Sequence, residues 1–350
     1  MTRSRTWLIA GFAALLLAAG CGSDSGGGSS DGGPETVKIG TVRGSSADAA
    51  VFIAIEKGFF KKQGLDVQLE QFNTGAQFVA PLGSGQLDVG SGGISAGLMN
   101  AVAGGVGIKM VAAKSQVGSP SYTSLLVSSK HVDGGRYKDF SDLKGMTVAI
   151  PALGIPPHYE LSLFLEKGGL GVDDVRIEQI GFADMVPALE NGSVDAAIAI
   201  EPSATLAERS GGAEKVAGTE EIFPDEQSAA IMFGDRFAEE RPEVAQKVMN
   251  AYLEGVKYYL GALEDSKLTG PQGEEIAQIL TKYTSVKDPK LFMDIPLHTV
   301  PPDIKLNPEL IQREVDFWRA QELIKSDFKV TEAIDTSFAD KAVQQLGPAQ

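Results

Sequence analysis

Cysteine is almost absent from this 350-residue chain: Cys21 is the single one, which excludes an intrachain disulfide and a multi-cysteine metal site. Histidine is nearly as scarce. His131, His158 and His298 lie far apart, and none has a second histidine three to five residues away. The spacing of a transition-metal site is therefore missing, and neither a metal nor a cofactor is expected. Basic runs are missing too. With 31 Lys and Arg against 46 Asp and Glu, the formal charge of −15 argues against nucleic acid as a partner. No apolar run is long enough to span a bilayer as a helix. Trp7–Ala19 is too short, while Ile94–Ala113 is interrupted by Gly104, Gly105 and Gly107 and carries Lys109.

What the N-terminus does contain is a leader. A basic segment, Met1–Arg5, precedes apolar Trp7–Ala19, and the small residues Ala18, Ala19 and Gly20 stand directly before Cys21. This predicts a signal peptide over residues 1–20. A lone thiol after a small-residue triplet resembles a bacterial lipobox, with Ala18 where leucine is more usual, and so predicts lipidation of Cys21. The next stretch, GSDSGGGSSDGGP, cannot build a core; residues 21–35 read as a tether with a root-mean-square reach of roughly 20 Å. The expected location is extracytoplasmic, on the cell membrane through the N-terminal lipid, because two acyl chains plus a thioether-linked lipid exceed the threshold for stable anchoring.

From Val37 the pattern alternates. Strands are predicted at Lys38–Val42, Leu65–Phe72, Leu87–Val89 and Ile108–Ala112, with helices near Ala47–Lys57 and Ala76–Leu82 and from Ser95. A second set comprises strands at Ser124–Val127, Met146–Ile150, Val175–Ile180 and Asp195–Ile200, with helices at Pro157–Lys167 and after Asp184. Such alternation implies α/β architecture with mostly parallel sheets flanked by helices. Beyond Asp235 the pattern turns helical. One motif repeats: Leu82-x-x-Gly85-x-Leu87-Asp88-Val89 matches Leu189-x-x-Gly192-x-Val194-Asp195-Ala196. Each copy has a helix end, a glycine at the cap and an aspartate opening a buried strand, as corresponding corners of two similar lobes would.

Four stretches carry a resemblance to a known family. They are Phe52–Val67 (FIAIEKGFFKKQGLDV), Gly85–Asp88 with Ser91–Ser95, Asp142–Val148 (DLKGMTV) and Leu189–Pro202. The chain resembles the substrate-binding proteins of ABC importers, in the sulfonate/taurine/nitrate-type and thiamine-pyrimidine-precursor family with the periplasmic-binding-protein type II fold. That resemblance implies two α/β lobes joined by two crossover strands, with a small organic ligand in the cleft. The crossovers are expected near Ser124–Ser128 and Ser228–Phe233. Lobe 1 would then comprise 36–128 plus 228–350, and lobe 2 would comprise 129–227. It also implies an ABC permease as membrane partner, a monomer and no catalysis. Two other functions remain open on the residues: a ligand-sensing lipoprotein of the same fold, and a secreted serine esterase. Some relatives in the pyrimidine branch are enzymes that consume an active-site histidine, but their cysteine- and histidine-rich segments are absent here.

The esterase reading rests on Gly93-Ile-Ser95-Ala-Gly97, which fits the G-x-S-x-G elbow; the other reading of Ser95, with Gly93 beside it, is a ligand-facing hydroxyl at a helix start. Ser45 and Ser46 fall in the first strand-to-helix turn, as ligand donors or as helix caps, and Arg43 beside them is a countercharge or a solvated surface residue. Glu201, ahead of Pro202 at the end of a buried strand, is either a partner for a ligand amine or a helix-start carboxylate. The segment IPALGIPPHYE contributes Gly154, Ile155 and His158. Its prolines remove N–H donors and add apolar surface, which disfavours a bare inorganic anion and points to an organic ligand with a ring or apolar portion. Phe182 is an aromatic candidate near a strand end.

Overall fold

A computed structural model describes residues 33–350; the leader, Cys21 and most of the tether lie outside the described residues. The strands in chain order are β1 (Glu35–Val42), β2 (Leu65–Phe72), β3 (Val89–Gly93), β4 (Ile108–Ser115), β5 (Thr123–Ser128), β6 (Thr147–Ile150), β7 (Arg176–Gln179), β8 (Ala196–Ile200), β9 (Ala213–Gly218) and β10 (Ala229–Gly234). Among the described residues they form two five-stranded sheets, ordered β2-β1-β3-β10-β4 and β7-β6-β8-β5-β9. Each sheet carries apolar clusters on both faces, which is why its inner strands read as continuous apolar runs.

Two strands expected to cross between lobes instead belong to sheets. β5 runs antiparallel between β8 and β9, so lobe 2 begins before residue 129. β10 runs antiparallel between β3 and β4, deep in the first sheet. All six residues of each strand are buried, and a buried backbone must be hydrogen-bonded on both sides, which a free linker cannot arrange. The chain actually crosses at residues 116–122 and 219–228.

The repeated motif marks equivalent corners. Gly85 and Gly192 adopt φ of 72° and 75° after their helices, and β3 and β8 hold the third place in their sheets. Asp88 Oδ2 accepts the Lys38 N–H at 2.8 Å, and Asp195 Oδ2 accepts the Thr147 N–H at 2.8 Å. In both lobes the aspartate thereby fastens the start of its own strand to the backbone of a neighbouring one. The C-terminal helices Pro242–Leu260, Gly270–Tyr283, Pro308–Ala320 and Ser337–Leu346 all pack on the first sheet. Gly255 lets the long Pro242–Leu260 helix approach the Ala49–Glu56 helix, since a Cβ there would lie 2.2 Å from the Ala50 carbonyl oxygen.

Candidate functional site

The turn after β1 supplies the first wall of the site. Ser45 caps the short 3-10 turn by accepting the Ala47 N–H at 3.1 Å, and Ser46 is fully buried. Asp48, also buried, accepts the Val42 N–H at 3.2 Å, the Ser91 hydroxyl at 2.5 Å and the Lys114 ammonium at 2.7 Å. Lys114 further donates to the Ser91 carbonyl at 3.2 Å. This ion pair ties the C-terminal ends of β1, β3 and β4 together under the cleft. Burial pushes the Asp48 carboxyl up, and Lys114 with the hydrogen bonds pulls it back down.

Tyr122, from the first crossover, brings its hydroxyl beside those of Ser45 and Ser46. Burial pushes its pKa up. The His298 ring stacks on Tyr259 at 5.1 Å and meets Tyr122 edge-on at 5.8 Å. Burial, assisted by Lys114, lowers its pKa to about 3 and keeps it neutral. Thr41 Oγ1, Ser46 Oγ, Tyr122 Oη and His298 Nε2 are all buried without a partner among the described residues. Buried polar atoms are normally paired, so a run of orphans from β1, the crossover and the loop holding His298 marks a place prepared for something else.

The second wall faces it from lobe 2. Ser95 caps the Ala96–Ala103 helix, its Oγ accepting the Leu98 N–H at 3.2 Å. The next residue, Ala96, donates its N–H across the cleft to the Gly154 carbonyl at 2.8 Å. Gly154 sits at φ 72°, and a Cβ there would lie 2.9 Å from Ala96 Cβ and 3.5 Å from Leu323 Cδ1. Its N–H donates to His158 Nδ1 at 3.3 Å, so the imidazole proton is on Nε2. Burial lowers the His158 pKa to about 4. His158 stands edge-on to Phe317 at 5.0 Å, and Tyr159 packs on Phe223 at 5.5 Å and Phe317 at 5.3 Å. Ile155 caps the Pro156–Lys167 helix and is half-buried.

The structure therefore brings Ser45, Ser46, Gly93, Ser95, Gly154, Ile155 and His158 to facing edges of the lobes. It does not bring three other candidates there. Arg43 is exposed and has no ion-pair partner among the described residues. Phe182 follows β7, the edge strand of the second sheet, and packs with the apolar cluster beneath it. Glu201 is fully buried but not free. Its Oε1 accepts from Lys215 at 2.7 Å and Thr205 Oγ1 at 2.9 Å, and its Oε2 accepts the Thr205 N–H at 3.0 Å. It is a helix-start carboxylate whose charge is already met by Lys215, which argues against the amine-binding role offered for it. Ser95 makes no hydrogen bond to a histidine among the described residues, so the elbow lacks its base.

Several residues of the site escaped sequence reasoning. Lys114 had one signal: a lysine that follows the apolar run Met110–Ala113 directly, where the strand is buried. Glu160, Glu226 and Glu314 form a second group, gathered from the Pro156–Lys167 helix, the second crossover and the Pro308–Ala320 helix. Glu314 was legible, because it falls on the stripe Ile311, Val315, Trp318 where an apolar residue belongs.

The comparisons agree with this architecture. The NMT1-like family model matches residues 30–269. A binding protein of Brucella abortus is 27% identical over 252 residues, covering 71% of this chain and 72% of its own. An aliphatic sulfonates-binding protein of Bacillus subtilis is 26% identical over 97% of both chains. Among solved structures, the alkanesulfonate-binding protein of Xanthomonas axonopodis bound to MOPS superposes with a TM-score of 0.69 at 21% identity, covering 87% of this chain and 99% of that one.

Proposed function

The chain belongs to the NMT1-like family, and on that premise we propose that it is the solute-capturing subunit of an ABC importer, taking a small sulfonate-class organic ligand between its lobes and delivering it to a membrane permease. The observation that carries the reading is the set of orphaned polar atoms on the first wall, from β1 and its turn, the first crossover and the loop holding His298. The hydroxyls of Thr41, Ser46 and Tyr122 are buried without a well-formed hydrogen bond, those of Ser46 and Tyr122 side by side, and a sulfonate offers three acceptor oxygens to such a group. Closure is read from the Ala96–Gly154 hydrogen bond, a contact that exists only when the lobes meet. The prolines at 156 and 157 leave the second wall short of N–H donors, which favours an organic body over nitrate alone. No bond-making step is assigned: Ser95 is a cap, and the chain binds without catalysis.

Thermal denaturation with a panel of alkanesulfonates, taurine, nitrate and pyrimidines tests this. A ligand at 100 times its dissociation constant stabilises the folded state by about 2.7 kcal/mol. A panel in which no sulfonate raises the melting temperature would remove sulfonates as the ligand class. The anchor belongs to the same reading. Cys21→Ala is expected to move the protein from the membrane fraction to the soluble one, and an unchanged distribution would count against lipidation.

A further inference from the structure

The loop that carries His298 is fastened on both sides. Before it, the Leu297 N–H donates at 2.7 Å to the carbonyl of Ser266, at the tip of the hairpin formed by Leu263–Glu264 and Lys267–Leu268. Gly118 of the first crossover leaves room for that tip, since a Cβ there would lie 2.1 Å from Ser266 Oγ. After it, Thr299 pairs with Gln116 at the root of the same crossover. The Gln116 N–H donates to the Thr299 carbonyl at 2.7 Å, and the Thr299 N–H donates to the Gln116 carbonyl at 2.9 Å. Between these ties the Tyr259 hydroxyl donates to the His298 carbonyl itself at 2.7 Å. The backbone under the imidazole is therefore pinned at residues 297, 298 and 299.

On this fixed ring one atom is unused. His298 is 2% exposed, and its Nε2 has no partner among the described residues. The Tyr259 hydroxyl has a single proton, committed to the His298 carbonyl, so toward Nδ1, 3.4 Å away, it can only accept. Nδ1 thus carries the imidazole proton, and Nε2 presents a bare lone pair. The other orphans of this wall are hydroxyls, which can donate to an acid; Nε2 cannot, because an acid oxygen and a bare nitrogen are both acceptors. Only an O–H or N–H completes it. Burial first, and the Lys114 charge second, keep a further proton off this ring, and that charge opposes a cationic donor in the same way. A neutral hydroxyl suits the place better. It can give its proton to Nε2 and accept from a neighbour such as Tyr122, whose ring meets His298 edge-on.

We propose that His298 is a specificity-determining residue of the cleft, its Nε2 taking a hydrogen bond from an uncharged O–H or N–H that the solute carries beside its acid group. This rests on the reading of the cleft as a sulfonate site and adds the group that must accompany the acid. The pinned backbone is what makes a single acceptor selective. A mobile side chain would turn away from a solute with no donor. His298, held at its own carbonyl and at both neighbours, keeps its lone pair in place and leaves it desolvated and unpaired against such a solute. The first wall then divides its work: the hydroxyls of Thr41, Ser46 and Tyr122 meet the acid, and His298 reads the substituent.

The test is calorimetric titration of the full chain with four probes of similar size. Isethionate and propane-1-sulfonate differ only by a hydroxyl in place of a methyl group. Taurine puts a cationic donor at the same position, and 3-hydroxypropionate keeps the hydroxyl while a carboxylate replaces the sulfonate. The wild type is expected to bind isethionate at least about tenfold more tightly than propane-1-sulfonate, with taurine below isethionate. His298→Phe keeps a ring to stack on Tyr259 but has no acceptor, and should bring the isethionate preference to one or below. His298→Gln returns an acceptor to nearly the same reach and should keep a preference. Propane-1-sulfonate binding by each variant reports that its cleft is folded. Equal binding of isethionate and propane-1-sulfonate by the wild type, tighter binding of taurine than of isethionate, or a preference that survives His298→Phe overturns the role of His298 and leaves the sulfonate reading intact. Binding of 3-hydroxypropionate that His298→Phe abolishes, with no sulfonate bound, upholds that role and overturns the sulfonate reading. Binding of none of the four overturns both.

Discussion

Gly154→Ala should block closure while leaving the fold in place. Gly154 has φ 72°, and its added Cβ would sit 2.9 Å from Ala96 Cβ on the opposite lobe. Two costs must be separated. The left-handed backbone conformation disfavours alanine by about 1–2 kcal/mol whether the lobes are open or closed, and lowers unfolding stability alone. The cross-cleft clash exists only in the closed form. Overpacking of that kind costs about 1–3 kcal/mol, and loss of the Ala96–Gly154 hydrogen bond adds about 0.5–1.5 kcal/mol. Together these come to about 3 kcal/mol against closure, or roughly a hundredfold in affinity. The assay is titration calorimetry with the sulfonate that best stabilises the wild type. Gly192→Ala is the matched control, because Gly192 has φ 75° with nothing within 4 Å. It should lose similar unfolding stability and keep its affinity. If folded Gly154→Ala binds within about threefold of wild type, the Ala96–Gly154 contact is not part of the bound state and the closure argument fails.

Lys114→Met strands the Asp48 carboxylate in the interior and should destabilise the protein by about 3 kcal/mol at neutral pH in urea denaturation; adding Asp48→Asn should recover part of the loss, and a neutral single substitution would refute the ion-pair account. Two buried groups give opposite pH slopes. Burial pushes the Glu226 carboxyl from 4.5 to about 7, with Glu160 and Arg313 restraining it. The folded chain thus holds a proton that the unfolded chain releases, so its contribution is complete below 4.5 and fades as pH rises to about 7. Glu226→Gln should gain on wild type over that window, by up to about 3 kcal/mol in denaturation at pH 7–8. Neutral His158, lowered from 6.5 to about 4 by burial, contributes fully above 6.5 and loses that contribution as pH falls to about 4. His158→Gln should therefore flatten the acid limb, and parallel wild-type and variant curves would contradict the assignment. Ser95→Ala should cost about 1 kcal/mol through the lost cap, while hydrolysis of simple aryl esters stays at the buffer rate before and after; serine-dependent turnover would revive the esterase.

Much of the fold was legible because its devices are local. Apolar runs such as Leu125–Val127 announce buried strands, Pro156 and Pro157 open a helix, and the paired Leu-x-x-Gly-x-Leu/Val-Asp motifs mark matching corners before any contact is known. Which sheet a strand joins is not local. β5 and β10 read as strands that cross between the lobes, and only their partners reveal that each fills the inside of a sheet. The site divides the same way. Ser45, Ser46, Ser95 and His158 stand at strand-to-helix turns, where chain order alone puts them near a cleft. Glu201 stands at such a turn too, yet Lys215 and Thr205 claim its oxygens, a pairing across 14 and 4 residues that no turn motif announces. The carboxylate group draws on residues 160, 226 and 314, and only tertiary packing makes it a group.

The place of β10 fixes an order of assembly. A chain made from its N-terminus delivers β1 to β4 first, yet the first sheet has a vacancy one strand wide between β3 and β4 until Ala229–Gly234 arrives. All five strands of the second lobe lie within residues 123–218 and can pair as soon as they emerge. The later-made lobe therefore finishes before the earlier one, and the earlier one waits with two strand edges unpaired. β3, the run Val-Gly-Ser-Gly-Gly, is one of those edges, with buried backbone and scarcely a side chain to shield it. A product truncated ahead of residue 229 is accordingly a folded second lobe carrying a sticky half-sheet, and holding that half-sheet apart from its neighbours during synthesis is a task the native protein never reveals.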